Sequence, residues 1–267
     1  MSRLSGLSMT ERIIIETKGV TKRFDGFTAV DSVNYRVVEG QSVGIIGPNG
    51  AGKTTFFNLL TGMFPPSEGK ISFFGEDITG TAPHKRTVLG IVRTFQLVSV
   101  FDSLKVLDNL VLANVRHGRH YSSKFRFMLS DARQKDTNEA CLESLRMMGI
   151  EDEANLMTAE LSYGSKRKLE IAIALSLKPK VLLLDEPFSG LSDGEIGEVL
   201  SLIRELRNQF TLIIIEHKIS RIIDLVERLS VMHEGRLIAE GRPGDVLCDP
   251  MVREVYFGKE EGLVCSA

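Results

Sequence analysis

Residues 42–60 read SVGIIGPNGAGKTTFFNLL, and the fold turns on the middle of this stretch. The segment GPNGAGKTT, residues 47–55, fits the pattern G-x-x-x-x-G-K-[ST]. It lies where that pattern has physical meaning, between a strand-like apolar run and a helix-like one. Glycines let successive backbone N–H groups turn inward on a phosphate, and the helix that follows adds the positive end of its dipole. Gly47, Pro48, Asn49, Gly50, Ala51, Gly52, Lys53, Thr54 and Thr55 therefore read as a cradle for the phosphates of a nucleotide. Lys53 is expected to reach the β- and γ-phosphates, and the Thr54 hydroxyl to be a ligand of Mg2+.

A second stretch complements the first. VLLLDEPFSG, residues 181–190, is an apolar run that ends in two adjacent acids and a proline. A buried strand has no reason to end this way unless the acids face a site beyond its carboxyl edge. In that reading Asp185 holds Mg2+ and Glu186 polarises the attacking water. A solvent-facing pair of acids is the rival reading of the same letters.

Around these stretches strands alternate with helices, which predicts an α/β fold built on a mostly parallel sheet. ERIIIETKGV and VNYRVVEG predict an antiparallel pair near the N-terminus, and KISFFG, GIVRTFQ, TLIIIEH, LSVMHEG and RLIAEG predict further strands. From Leu97 to about Leu177 the spacing is helical throughout, in KVLDNLVLANV, DARQKDTNEACLESLRMMG and SKRKLEIAIALSL. The expectation is one domain whose core, 10–96 and 178–257, is interrupted by a helical subdomain at 97–177.

Composition narrows the function classes. The 267 residues carry 33 Lys plus Arg against 35 Asp plus Glu, a net charge of −2, so nothing marks the chain as a bulk binder of nucleic acid. The mixed basic and aromatic segment RHGRHYSSKFRF, residues 116–127, reads as a loop of the insert rather than a nucleic-acid surface. The run Lys166, Arg167 and Lys168 reads as a solvated helix face. Cys141, Cys248 and Cys265 show no paired metal spacing and read as reduced thiols. No window approaches the roughly 18 apolar residues of a membrane helix, which predicts a soluble cytoplasmic protein.

With both stretches in place, the chain resembles the ATP-binding cassette (ABC) ATPases over nearly its whole length, a P-loop, RecA-like fold. In that family a signature motif, LSGGQ, precedes the acid-ended strand, and here it reads Leu161, Ser162, Tyr163, Gly164, Ser165. The resemblance implies that the nucleotide is ATP and that two cassettes pack head to tail, with Ser162 and Gly164 contacting the nucleotide held by the partner. A short turn capping an amphipathic helix explains the same letters without function. The resemblance further implies that Gln96 in RTFQL contacts Mg2+ or the attacking water. It also implies that His217 in LIIIEHK contacts the γ-phosphate, and that Phe24 in KRFDGF stacks on adenine, with packing as the rival role for Phe24.

Two departures from the family pattern stand out. Ser165 replaces the usual signature glutamine, and Ser192, in FSGLSDG, stands where an aspartate is usual. Within the family, RTFQLVSVFDSLKVLDNL, the LSYG form of the signature and the ending VMHEGRLIAEGRPGDVLCDPMVREVYFG are similar to the ATP-binding subunits of branched-chain amino acid importers. That similarity implies two membrane-spanning permease subunits, a second identical or related cassette, an extracytoplasmic solute-binding protein, and a peripheral position on the cytoplasmic face of the inner membrane. Urea-type importers, lipopolysaccharide-type exporters and soluble ABC ATPases are the alternatives. A P-loop kinase or a GTPase is disfavoured by the signature and by the lack of an N-K-x-D motif.

Overall fold

The computed structural model describes residues 12–94, 99–117 and 130–257. Gln96, most of the 116–127 segment and Cys265 lie outside the described residues. The chain begins with two long strands, β1 (Ile13–Phe24) and β2 (Phe27–Val38), paired antiparallel as their spacing predicts. There follow β3 (Ser42–Ile46), α1 (Lys53–Thr61), β4 (Glu68–Phe73), β5 (Glu76–Asp77), α2 (Pro83–Leu89) and β6 (Ile91–Arg93). Three helices come next, α3 (Val106–His117), α4 (Ser130–Met147) and α5 (Tyr163–Ser176). The remainder alternates again: β7 (Val181–Asp185), α6 (Asp193–Leu206), β8 (Thr211–Ile215), α7 (Ile219–Ile222), β9 (Arg228–His233), β10 (Arg236–Gly241), α8 (Pro243–Leu247) and α9 (Pro250–Phe257).

These strands make two sheets. One is antiparallel, in the order β2-β1-β4-β5. The other runs β10-β9-β3-β8-β7-β6 and is parallel from β9 to β6, with β10 added antiparallel at one edge. Its central strands are apolar without a break because both faces are covered. In β7, Val181 and Leu183 enter the core shared with β1, β2 and α1, whereas Leu182 and Leu184 enter the core shared with α5 and α6. In β8, Ile213 and Ile215 face the first core, and Leu212 and Ile214 the second. The period-2 alternation of side chains thus serves two buried faces rather than one buried and one wet.

Among the described residues of 99–177 the only strand-like pairing is the isolated bridge Lys105–Met157, and α3, α4 and α5 pack on one another. Two readings are corrected. Lys166, Arg167 and Lys168 are not one solvated face: Arg167 is fully buried, while Lys166 pairs with Asp102 and Lys168 with Glu198, both at 2.7 Å. Consecutive helical residues point about 100° apart, so a run of three cannot share a face. Cys248 is disulfide-bonded rather than reduced, while Cys141 is a free, buried thiol whose pKa burial pushes up to about 11. Spacing in sequence does not reveal which sulfurs the fold brings within bonding reach.

One buried cation pins the helix that carries the phosphate motif. Arg86, on α2, is fully buried and uses all five N–H donors on carbonyls: Thr81 at 2.9 Å, Leu59 at 2.7 Å, Leu60 at 2.8 Å, Ile78 at 2.6 Å and Thr79 at 3.0 Å. Leu59 and Leu60 lie in the last turn of α1, where carbonyls lack the usual i+4 helical partners. Burial lowers the guanidinium pKa to about 10, which keeps it charged at neutral pH. Leu59 and Ile78 also accept backbone N–H groups, from Gly62 at 3.2 Å and Thr81 at 2.9 Å, so Arg86→Met strands chiefly the carbonyls of Leu60, Thr79 and Thr81 and is expected to cost about 3 kcal/mol or more, measured by equilibrium urea unfolding.

Candidate functional site

The site forms because parallel register aligns three strand ends. Ile45 of β3 and Asp185 of β7 both pair with Ile215 of β8. The residues that follow, the Gly47–Lys53 loop, Glu186, and Glu216 with His217, therefore emerge at the same edge of the sheet.

The loop is shaped for an anion. Gly52, at the N-cap of α1, has φ +97°, and a Cβ there would lie 2.3 Å from the Ala29 carbonyl, so only glycine fits. No side chain caps α1 and no acid lies in its first turn, which leaves its N–H groups and dipole directed outward. Lys53 is 5% exposed and folds back over the loop, its Nζ donating to the Gly47 carbonyl at 2.6 Å and the Pro48 carbonyl at 3.0 Å. Burial lowers its pKa, against the opposing pull of Glu186, Asp185 and Glu216.

Four ionisable groups share this edge with the lysine. Asp185 is fully buried; its Oδ2 accepts from Arg93 Nη2 at 2.5 Å, and its Oδ1 has no hydrogen-bond partner among the described residues. Burial raises the Asp185 pKa against the pull of Arg93. Glu186 has φ +48°, strained backbone for a non-glycine residue, and its carboxylate pairs with Nε2 of His217. Glu216 is buried, its carboxylate accepting from the N–H of Phe188 at 3.4 Å and of His217 at 3.2 Å.

Arg167 ties α5 to the same place. Its Nη2 donates to the Glu186 carbonyl at 2.5 Å, its Nε to the Pro187 carbonyl at 2.9 Å and its Nη1 to Glu170 at 2.6 Å. At the N-terminus of α5, Ser162 is the N-cap and accepts from the Ser165 N–H at 3.0 Å. A Cβ on Gly164 would lie 2.3 Å from Oε1 of Glu195, a residue of α6 that also accepts from Ser192. Ser192 caps α6 in a reciprocal box with Glu195, so the serine at this position has a helix-capping role. Ser165 in turn donates to Glu153 at 3.1 Å.

The structure therefore gathers residues 47–55, Asp185, Glu186 and His217, while Gly164 meets Glu195 of α6 and Ser162 caps α5. Phe24 ends β1 half-exposed, edge-on to Phe64 at 5.4 Å, with Lys22 Nζ 5.1 Å from its ring centre. Arg93 and Glu216 escaped the sequence reading, and Arg167 entered it only as part of a solvated helix face. Glu216 carried a usable signal, since TLIIIEH is an apolar strand ending in an acid just as VLLLDE is.

Residues 30–189 match the family model described as ABC transporter, and residues 236–262 match the one described as branched-chain amino acid ATP-binding cassette transporter. The chain belongs to the ABC transporter ATP-binding proteins of the branched-chain amino acid type. It is 36% identical over 252 residues to the high-affinity branched-chain amino acid transport ATP-binding protein BraF of Pseudomonas aeruginosa, a match covering 93% of this chain and 99% of BraF. The crystal structure of the ADP conformation of MJ1267, an ATP-binding cassette of an ABC transporter, superposes with a TM-score of 0.81 at 32% identity, over 92% of this chain and 99% of that one. The dimeric post-hydrolysis structure of the cassette MJ0796 bound to ADP and Pi matches at 25% identity and a TM-score of 0.73, over 86% of this chain and 99% of that one. As an ABC ATPase, the cassette binds and hydrolyses ATP.

The residues present also fit Mg2+. Asp185 offers a buried, unpaired carboxylate oxygen, and Thr54 an exposed hydroxyl at the start of α1. Among the described residues no cluster of three or more His, Cys, Asp or Glu could hold a metal. One carboxylate and one hydroxyl suit a cation that takes its other ligands from phosphates and water.

Burial raises the pKa of Glu216. The folded state then holds the proton more tightly than the unfolded one, so the charged form opposes folding above the unfolded pKa, and increasingly so until the pH passes the folded pKa. Relative to wild type, Glu216→Gln is therefore expected to gain stability as the pH rises from the ordinary glutamate pKa of 4.5 toward neutrality, measured by urea unfolding across that range.

Proposed function

We propose that this cassette is the ATP-hydrolysing motor of an importer of branched-chain amino acids. The observation that carries the chemistry is the single sheet edge where an uncapped phosphate cradle meets Asp185, Glu186 and His217. The cargo rests on the C-terminal family match and on relatives such as BraF.

In this reading residues 47–55 grip the phosphates, and Lys53 exchanges the Gly47 and Pro48 carbonyls for phosphate oxygens. Asp185 and Thr54, joined by Gln96, would hold Mg2+, which when bound offsets the charge of the β- and γ-phosphates. Glu186 accepts a proton from the attacking water as its oxygen bonds to the γ-phosphorus and the bond to the bridging oxygen breaks, releasing ADP and phosphate. His217 orients the Glu186 carboxylate and faces the γ-phosphate. Phe24 stacks on adenine.

Ser162 and Gly164 serve the nucleotide of a second identical or related cassette packed head to tail. The dimeric form of MJ0796 supports that assembly. The subdomain 97–177 meets two membrane-spanning permease subunits, which receive cargo from an extracytoplasmic binding protein. The chain sits peripherally on the cytoplasmic face of the inner membrane, and among the described residues no helix is long and apolar enough to cross it.

The test uses cells whose only copy is wild type, Lys53→Ala or Glu186→Gln, with labelled leucine as probe and labelled urea as control. Both variants are expected to lose leucine uptake alone. The purified Glu186→Gln protein is expected to bind ATP and turn it over about 10²–10⁴-fold more slowly. Unchanged leucine entry would remove the cargo assignment, and an active Glu186→Gln enzyme the general-base role.

A further inference from the structure

Arg93 is the last residue of β6, and its side chain is 6% exposed. Its planar guanidinium joins two elements of the site. Nη2 donates to Asp185 Oδ2 at 2.5 Å, and Nη1 donates to Asn58 Oδ1 at 2.5 Å. Its Cζ also lies 5.6 Å from the ring centre of Phe57. Asn58 is on α1 one turn after Thr54, so both side chains lie along one face of that helix.

The two oxygens of Asp185 thus have different fates. Oδ2 is held by the fork, while Oδ1 is buried and meets no hydrogen-bond partner among the described residues. An unpaired buried carboxylate oxygen is costly unless something else is meant to meet it. A guanidinium held at one end by Asn58 fixes the plane of a carboxylate at the other, which a rotating ammonium cannot do.

We propose that Arg93 is a positioning residue, holding the Asp185 carboxylate so that Oδ1 is presented to the Mg2+ of the bound nucleotide. The proposal rests on the assignment of Asp185 to the metal. Its rival is that Arg93 only neutralises a buried acid. The two differ in sign. A mere counter-charge repels the metal, so its removal tightens metal binding, whereas loss of a positioning fork weakens it.

The experiment uses the full chain carrying Glu186→Gln to stop turnover, with Mn2+ as probe. Bound Mn2+ is followed by electron paramagnetic resonance in the presence of ATP, and binding of fluorescent ATP is measured separately in EDTA. Arg93→Gln and Arg93→Lys are each expected to weaken Mn2+ binding by about tenfold or more, as loss of an outer-shell partner does, with metal-free nucleotide affinity within about twofold of the parent. Asn58→Ala, which frees only one end of the fork, is expected to weaken Mn2+ by a smaller factor. Unchanged or tighter Mn2+ binding in Arg93→Gln, or full rescue by lysine, overturns the proposal. Should Arg93→Gln also lose nucleotide in EDTA, its cradle is damaged and Asn58→Ala decides, unchanged Mn2+ binding there counting against positioning. Asp185→Asn separates the layers: if it leaves Mn2+ binding intact, the metal assignment of Asp185 fails and takes this proposal with it.

Discussion

Parallel pairing of β3, β8 and β7 requires that their carboxyl ends fall at one edge, and the candidate site depends on that alignment. Each strand is an apolar run buried on both faces, so its register is held by two cores at once. A slip of one residue would exchange the faces of Leu182 and Leu183 and move Asp185 away from the end of β8. The chemistry is therefore placed by hydrophobic packing some distance from the reacting groups, and the polar residues need only stand at the ends of strands.

That placement puts several charges out of water. Lys53, Asp185, Glu186 and Glu216 are all buried at the edge, and burial opposes the charged forms of Lys53, Asp185 and Glu216. Two arginines reach in from neighbouring elements. Arg93 comes from β6 to Asp185, and Arg167 from α5 to the carbonyls of Glu186 and Pro187. Arg167 also ties α5 to the loop that follows β7. The helix whose N-terminus carries Ser162 and Gly164 is bonded through it to the backbone of Glu186, which is held in a strained left-handed conformation.

Ser192 and Glu195 show how a departure from a family pattern can be read physically. A serine in place of aspartate looks like a loss in the sequence, yet in the fold it caps α6. The Glu195 carboxylate that completes the cap also reaches the N-terminal turn of α5 beside Gly164. One short segment therefore joins two helix starts, a relation that neither motif states by itself.

The sequence alone determined whatever depends on short spacing. The phosphate cradle at residues 47–55, the acid-ended strand at 181–186 and the strand–helix alternation each act over a few residues, where backbone geometry and side-chain period leave few options. Only the tertiary structure decided the roles of Arg93, Arg167 and Glu216, because each depends on which distant groups it meets. Arg93 is 92 residues from Asp185, and Arg167 is 19 from Glu186. The basic run at 166–168 shows the limit: composition gives three charges, but helical rotation sends one into the core and two to separate acids. Spacing along a chain records local geometry, whereas the neighbours of a buried charge are chosen by how whole elements pack.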